Sequence, residues 1–157
     1  MKLEYKYLVA IVSTFGLFMN LLDSTVVNVA IPTLATDFHA STTTIQWVIT
    51  GYLLALAVVI PMAGWVGDRF GTKRSFMAAL VVFTGFSLAC GLAWNIESLI
   101  VFRILQGAGG GMLTPLGTTL LFRAFPPHER SRASALLTIP TTVAPASGPL
   151  LGGLLVE

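Results

Sequence analysis

Two ionisable side chains stand where ionisable side chains are costly. Asp23 lies inside the apolar run that follows the N-terminus, and Arg103 lies inside a later one. A charge at the centre of a bilayer costs at least about 2.5 to 3.5 kcal/mol, so residues of this kind mark ion pairs, proton sites or substrate sites. At 1.5 Å per residue, Asp23 falls about 22 Å from the inner end of its helix and Arg103 about 8 to 10 Å below the outer end of its own. The two depths agree. One reading is a polar site in the outer half of a cavity, where Asp23 accepts a proton and Arg103 shifts its affinity for one. The other is a contact that pins helices, with the guanidinium bonded to Asp23 or to carbonyls of broken helices. Asn20, three residues before Asp23, shares its helical face and extends a polar stripe; Asn28 follows in the same run.

Positioning such residues requires membrane helices, and the composition demands them. Hydrophobic residues make up 55% of the 157 positions and charged residues 10%, against about 25% charged in an ordinary soluble domain. The net charge of +2 comes from nine basic residues scattered among apolar spans rather than gathered on a face, which argues against nucleic-acid binding. Cys90, the only cysteine, rules out an intrachain disulfide or a thiolate cluster. There is no nucleophile–base pair, phosphate-binding loop or metal-ligand cluster, and His39 and His128 fall singly in loops on opposite sides. An enzyme is not expected, nor is any cofactor.

A bilayer core about 30 Å thick needs about 20 apolar residues of helix. Five such runs can be drawn: 8–31, 45–66, 75–94, 96–122 and 133–156. The predicted fold is therefore an all-α, polytopic transmembrane bundle whose short connections make consecutive helices antiparallel neighbours. Those connections are 33–44, 67–74, Asn95 and 123–132, with Pro32, Pro61, the Pro126–Pro127 pair, Pro140, Pro145 and Pro149 near several ends. A cleaved signal peptide does not suit the first run, which is too long and carries Asn20, Asp23 and Asn28.

Short loops rich in Lys and Arg stay in the cytoplasm. Lys2 and Lys6 precede the first span, Arg69, Lys73 and Arg74 fall in the second connection, and Arg123, Arg130 and Arg132 fall in the fourth. All three regions lie on one side, so a multi-pass protein of the cytoplasmic membrane with a cytoplasmic N-terminus is expected.

The segment Gly64-Trp65-Val66-Gly67-Asp68-Arg69-Phe70-Gly71-Thr72-Lys73-Arg74 is more than a basic loop. Gly71 suits a tight turn, Asp68 can pair with a cation or a helix terminus, and Arg69, Lys73 and Arg74 can grip carboxylates on the cytoplasmic side. A contact here that breaks and re-forms would bias which face is open. Small residues give the fourth span a thin face at Gly107, Gly110, Gly111, Thr114 and Gly117, and the fifth repeats this at Ala144, Gly148 and Gly152, joined by Gly153, Pro145 and Pro149. Such faces favour close helix contact in lipid. With the prolines they could also form a bent helix that seals or hinges the cavity.

Four stretches resemble the major facilitator superfamily, and more narrowly its fourteen-span drug:proton antiporters. Leu22 to Pro32 (LDSTVVNVAIP) resembles the first-span signature of that branch, and Gly64 to Arg74 resembles the superfamily's loop motif between spans two and three. Arg103 to Gly109 (RILQGAG), which contains Gln106, resembles the fourth-span motif whose arginine is associated with proton coupling. Gly148 to Gly153 (GPLLGG), with Pro145 just before it, resembles the antiporter motif of span five; Ala144 departs from the glycine that usually opens it.

The resemblance implies alternating access, with helical bundles rocking about a central site and inward proton flow driving export of amphipathic small molecules. The energy source would be the proton gradient, and the site residues Asp23, Arg103, Asn20, Asn28 and Gln106. The partners implied are membrane lipid, an amphipathic substrate and the remaining C-terminal helices of a transporter. A superfamily member has at least two six-span halves, so the 157 residues are expected to be its N-terminal portion and inactive alone. Solute uptake or symport on the same scaffold, or a non-transporting membrane adaptor, are the alternatives.

Overall fold

The computed structural model describes residues 5–156, excepting the side chains at 139, 140, 146 and 148–156. Every element is helical: α1 (Tyr5–Asp37), α2 (Thr42–Val59), α3 (Ala63–Phe70), α4 (Thr72–Gly91), α5 (Ile96–Ala124) and α6 (Arg130–Val156), with 3₁₀ turns at Ile60–Met62 and Pro127–Glu129.

The first predicted span ends too early. α1 passes through Pro32 and continues to Asp37, so the 33–44 connection shrinks to residues 38–41. The helix ends by its own backbone geometry instead. His39 has φ 47°, Ala40 N–H donates to Ala35 O, and His39 N–H donates to Thr36 O, which is a Schellman ending with a left-handed residue one place past the cap. α2 begins at once, with Ser41 Oγ accepting from Thr44 N–H at 3.2 Å.

The second span is longer than predicted, and bent. Pro61 lacks an N–H, and the chain tightens into a 3₁₀ turn at 60–62 before continuing as α3. Residues 67–70, predicted to be loop, are helical, and the reversal into α4 falls on Gly71 alone, at φ 89° and ψ 126°. That is a region which side-chain-bearing residues avoid. α4 is consequently three residues earlier than the predicted 75–94. The connection to α5 is Leu92–Asn95 rather than Asn95 alone, and it closes with a capping box: Asn95 Oδ1 accepts from Ser98 N–H at 2.8 Å while Asn95 N–H donates to Ser98 Oγ at 3.3 Å.

Among the described residues, four helical segments are long and apolar enough to cross a membrane: Tyr5–Asp37, Thr42–Phe70, Thr72–Gly91 and Ile96–Ala124. The fifth predicted span forms α6 but is not among the four, and its side chains past 147 lie outside the description. Half of the best apolar window of α5 is buried, against 22–28% for the others, which makes α5 the central helix. α4, α2 and α1 surround it, and α6 lies along α1. Apolar clusters join them at three levels: Phe76, Ala79 and Phe83 against Leu113 and Leu116; Ala10 against Leu121, Phe125 and Ala133; and Ile45 and Val48 against Ile96 and Leu99.

Candidate functional site

The buried level between α1, α2 and α5 holds a cluster of polar side chains that includes Asn20, Arg103 and Gln106. Asp23 on α1 meets two residues one helical turn apart on α5. Arg103 Nη1 donates to Asp23 Oδ2 at 2.8 Å, and Gln106 Nε2 donates to Asp23 Oδ1 at 2.9 Å. The triangle is closed by Arg103 Nη1 donating to Gln106 Oε1 at 2.8 Å. Both carboxylate oxygens are thus engaged, and a single carboxamide serves both charges. Gln106 is fully buried, and Arg103 is 3% exposed while Asp23 is 17% exposed. The carboxylate is the reachable member of the pair. A paired charge of this kind is tolerated where an isolated one would not be. Arg103 Nε is buried and has no hydrogen-bond partner among the described residues.

Two further residues complete the site, and sequence reasoning did not assign either to it. Tyr52 of α2 lays its ring over the guanidinium, 4.4 Å from centroid to Cζ, and donates its hydroxyl to Asn20 Oδ1 at 2.7 Å. Cys90 of α4 donates from Sγ to Gln106 Oε1 at 3.6 Å. For Tyr52 a signal was present: a phenol in an uncharged apolar span must find a partner when buried. Cys90 offered none, because a lone thiol in an apolar run reads as packing.

Other predicted residues fall elsewhere. Asn28 is exposed and donates to Ser24 O at 2.9 Å, on its own helix, so it does not join the Asp23 cluster. In the loop segment, Asp68 reaches Arg123 Nη2 at 3.6 Å, with both side chains largely exposed, a pair of little energetic weight. Arg123 is better held by Thr72 Oγ1, to which it donates at 2.8 Å. Gly64 is exposed with open space around it, and Arg69, Lys73 and Arg74 are exposed without a partner among the described residues. On α6, Ala144 is buried and Pro145 exposed. Gly148, Pro149, Gly152 and Gly153 lie in α6, with their surroundings outside the described residues.

The small face of α5 is occupied by its neighbours. A Cβ at Gly107 would come 2.6 Å from Tyr52 O, and one at Gly110 would come 2.5 Å from Asn20 Oδ1. The backbone of α2 reaches α5, and the Asn20 amide fits against it, because these positions lack side chains. Thr114, predicted on the same face, is exposed.

The Major Facilitator Superfamily profile matches residues 13–157. The chain belongs to the major facilitator superfamily. It is a multi-pass membrane protein of that superfamily. It is 49% identical over 134 residues to the Multidrug resistance protein B homolog of Mycobacterium tuberculosis, covering 85% of this chain and 25% of that protein. It is 43% identical over 146 residues to the Multidrug export protein EmrB of Haemophilus influenzae, covering 93% of this chain and 29% of that one. The chain therefore spans between a quarter and a third of the length of these relatives. Among solved structures, a bacterial homolog of the human lysosomal transporter Spinster, inward-facing and unoccupied, superposes with a TM-score of 0.82 at 25% identity, over 98% of this chain and 32% of that one.

Proposed function

We propose that residues 1–157 form the N-terminal portion of a proton-coupled exporter of amphipathic small molecules in the cytoplasmic membrane, working by alternating access. The observation that carries this reading is the partly accessible carboxylate of Asp23 held against the buried Arg103. The names of the relatives supply the substrate class: they are multidrug resistance and export proteins.

A carboxylate in this setting has two exchangeable partners. A proton neutralises it and releases the guanidinium; a substrate cation competes with the guanidinium for the same oxygens. The two loads exclude one another, as antiport requires. Arg103 enforces the exclusion by taking the carboxylate back as its ion-pair partner whenever neither load is bound. Gln106 keeps the carboxylate aligned by donating to its second oxygen. On this reading the basic connections face the cytoplasm, and the 157 residues transport nothing until the other helices of the transporter enclose the site.

The test is ethidium-driven proton movement in proteoliposomes, comparing the 157-residue chain, the full-length protein that carries it, and that protein with Asp23→Asn. Proton release coupled to ethidium in the full-length protein alone, and its loss in D23N, is the expected result. Ethidium movement with the same proton stoichiometry in D23N would remove Asp23 from the coupling step. Solute movement in the direction of the proton would replace export by uptake.

A further inference from the structure

Neutralising Asp23 creates a problem that the structure answers. Arg103 is the more deeply buried of the two, and it sits in a helix bundle where an uncompensated cation is strongly disfavoured. When Asp23 is protonated or taken by a substrate cation, two groups remain on the guanidinium. One is Gln106 Oε1 at 2.8 Å. The other is the face of Tyr52, centred 4.4 Å away. The ring cannot drift off, because Tyr52 is 2% exposed and its hydroxyl is tied to Asn20 Oδ1 on α1. The backbone of α5 also closes on it: the place a Cβ would occupy at Gly107 is 2.6 Å from Tyr52 O and 3.1 Å from its Cδ2.

We propose that Tyr52 is a positioning residue that holds the Arg103 cation in register while Asp23 is neutral, so that the ion pair opens and re-forms at one place. This rests on the reading of Asp23 as the exchanged carboxylate. A guanidinium is weakly hydrated and stacks well on an aromatic face, and that attraction grows when water is excluded. With Asp23 charged, the carboxylate dominates and the ring adds little. With Asp23 neutral, the ring and one carboxamide oxygen are what the cation has left. Among the described residues, the titratable or charged groups facing Asp23 are Arg103 on α5, Tyr52 on α2 and Cys90 on α4; α6 carries none between 133 and 156.

The test uses the full-length protein carrying this segment and two readouts. The first is the pH profile of ethidium efflux. Tyr52→Leu makes the neutral state of Asp23 costlier, so more acid is needed to reach it. The profile moves to lower pH by about one unit, a tenfold change in proton affinity. Tyr52→Phe keeps the ring, and its profile stays closer to the wild-type one than that of Tyr52→Leu. The second readout is a double-mutant cycle on apparent melting temperature in detergent. Asp23→Asn imitates the neutral state, and the loss in D23N/Y52L exceeds the sum of the single losses, whereas D23N/Y52F is additive. A profile unmoved in Y52L together with additive melting losses overturns the role of Tyr52 and leaves the transport reading standing. An equal shift in Y52F and Y52L also overturns it, because the ring would then not be the agent. Absence of efflux with a non-additive D23N/Y52L cycle defeats the transport reading and keeps the positioning role.

Discussion

Gln106 uses both ends of one carboxamide, giving its N–H to Asp23 and its oxygen to Arg103. Gln106→Leu removes an acceptor from a buried cation and a donor from its counter-ion. A loss of about 1–3 kcal/mol is expected for a buried polar group left unpaired, measured as a lower melting temperature of the full-length protein in detergent. Gln106→Glu should behave differently, adding a carboxylate beside the first and changing the charge of the site, so a change in ethidium affinity rather than in stability alone separates the two variants. Asp23 and Arg103 were legible in the sequence because a charge in an apolar span has few innocent explanations, and counting residues from the helix ends brought their depths together. Asn20 was legible from its spacing to Asp23, although its partner was not. Asn28 was misplaced: helical periodicity turns position 28 away from position 23, and its amide satisfies itself on Ser24 O. Tyr52 was overlooked because an aromatic in an uncharged span also fits a lipid-facing position.

At the scale of the helix, the prolines show what a sequence withholds. Pro32 and Pro61 present the same residue in similar apolar runs, yet α1 continues through the first while the second produces a 3₁₀ turn. Pro115 stands in the middle of α5, where Thr119 Oγ1 donates to its carbonyl at 2.8 Å. Whether a helix tolerates proline depends on neighbours distant in sequence. Helix number and type were readable from apolar runs and charge, whereas ends set by backbone hydrogen bonding, as at His39, were not. One inter-helical contact is open to a direct test. Lys6 on α1 donates to both oxygens of Glu129, at 3.0 and 3.4 Å, just before α6 begins. The hydrogen bond from Lys6 lowers the Glu129 carboxyl below its ordinary 4.5. A carboxyl lowered on folding contributes above its unfolded value, and the contribution is lost as pH falls through the folded one. Spin labels at positions 5 and 135 should therefore show a narrow distance distribution at neutral pH that broadens on acidification below about 4.5. Glu129→Gln should show the broad distribution at every pH.

For the whole molecule, the clearest global property in the sequence is the alternation of basic and non-basic connections. The turn at Gly71 and the connection at 125–129 lie at the end that carries Lys6, and the turns at 38–41 and 92–95 lie at the other. A thiol probe that cannot cross the bilayer should label a cysteine placed at position 128 only from the cytoplasmic side, and one at position 94 only from outside; the reverse pattern would invert the topology. The sequence could not show which helix is central. α5 carries Arg103, a proline and a run of glycines, yet half of its apolar window is buried, more than in any other of the four spans.

That run of glycines has a mechanical consequence. Within two turns, α5 meets the backbone of two helices at separations no side chain would allow, α2 at Gly107 and α4 at Gly109, where a Cβ would lie 2.7 Å from Phe83 N, and at Gly110 it leaves the space that the Asn20 amide of α1 fills. The bundle is cinched at one depth and filled by ordinary side-chain packing above and below it. Lateral pressure from the bilayer, which varies with lipid shape and thickness, can then spread or squeeze the two ends but finds little to compress at the waist. Lipids that alter curvature stress should act on how far the helix ends splay and leave the spacing around Asp23 and Arg103 unchanged.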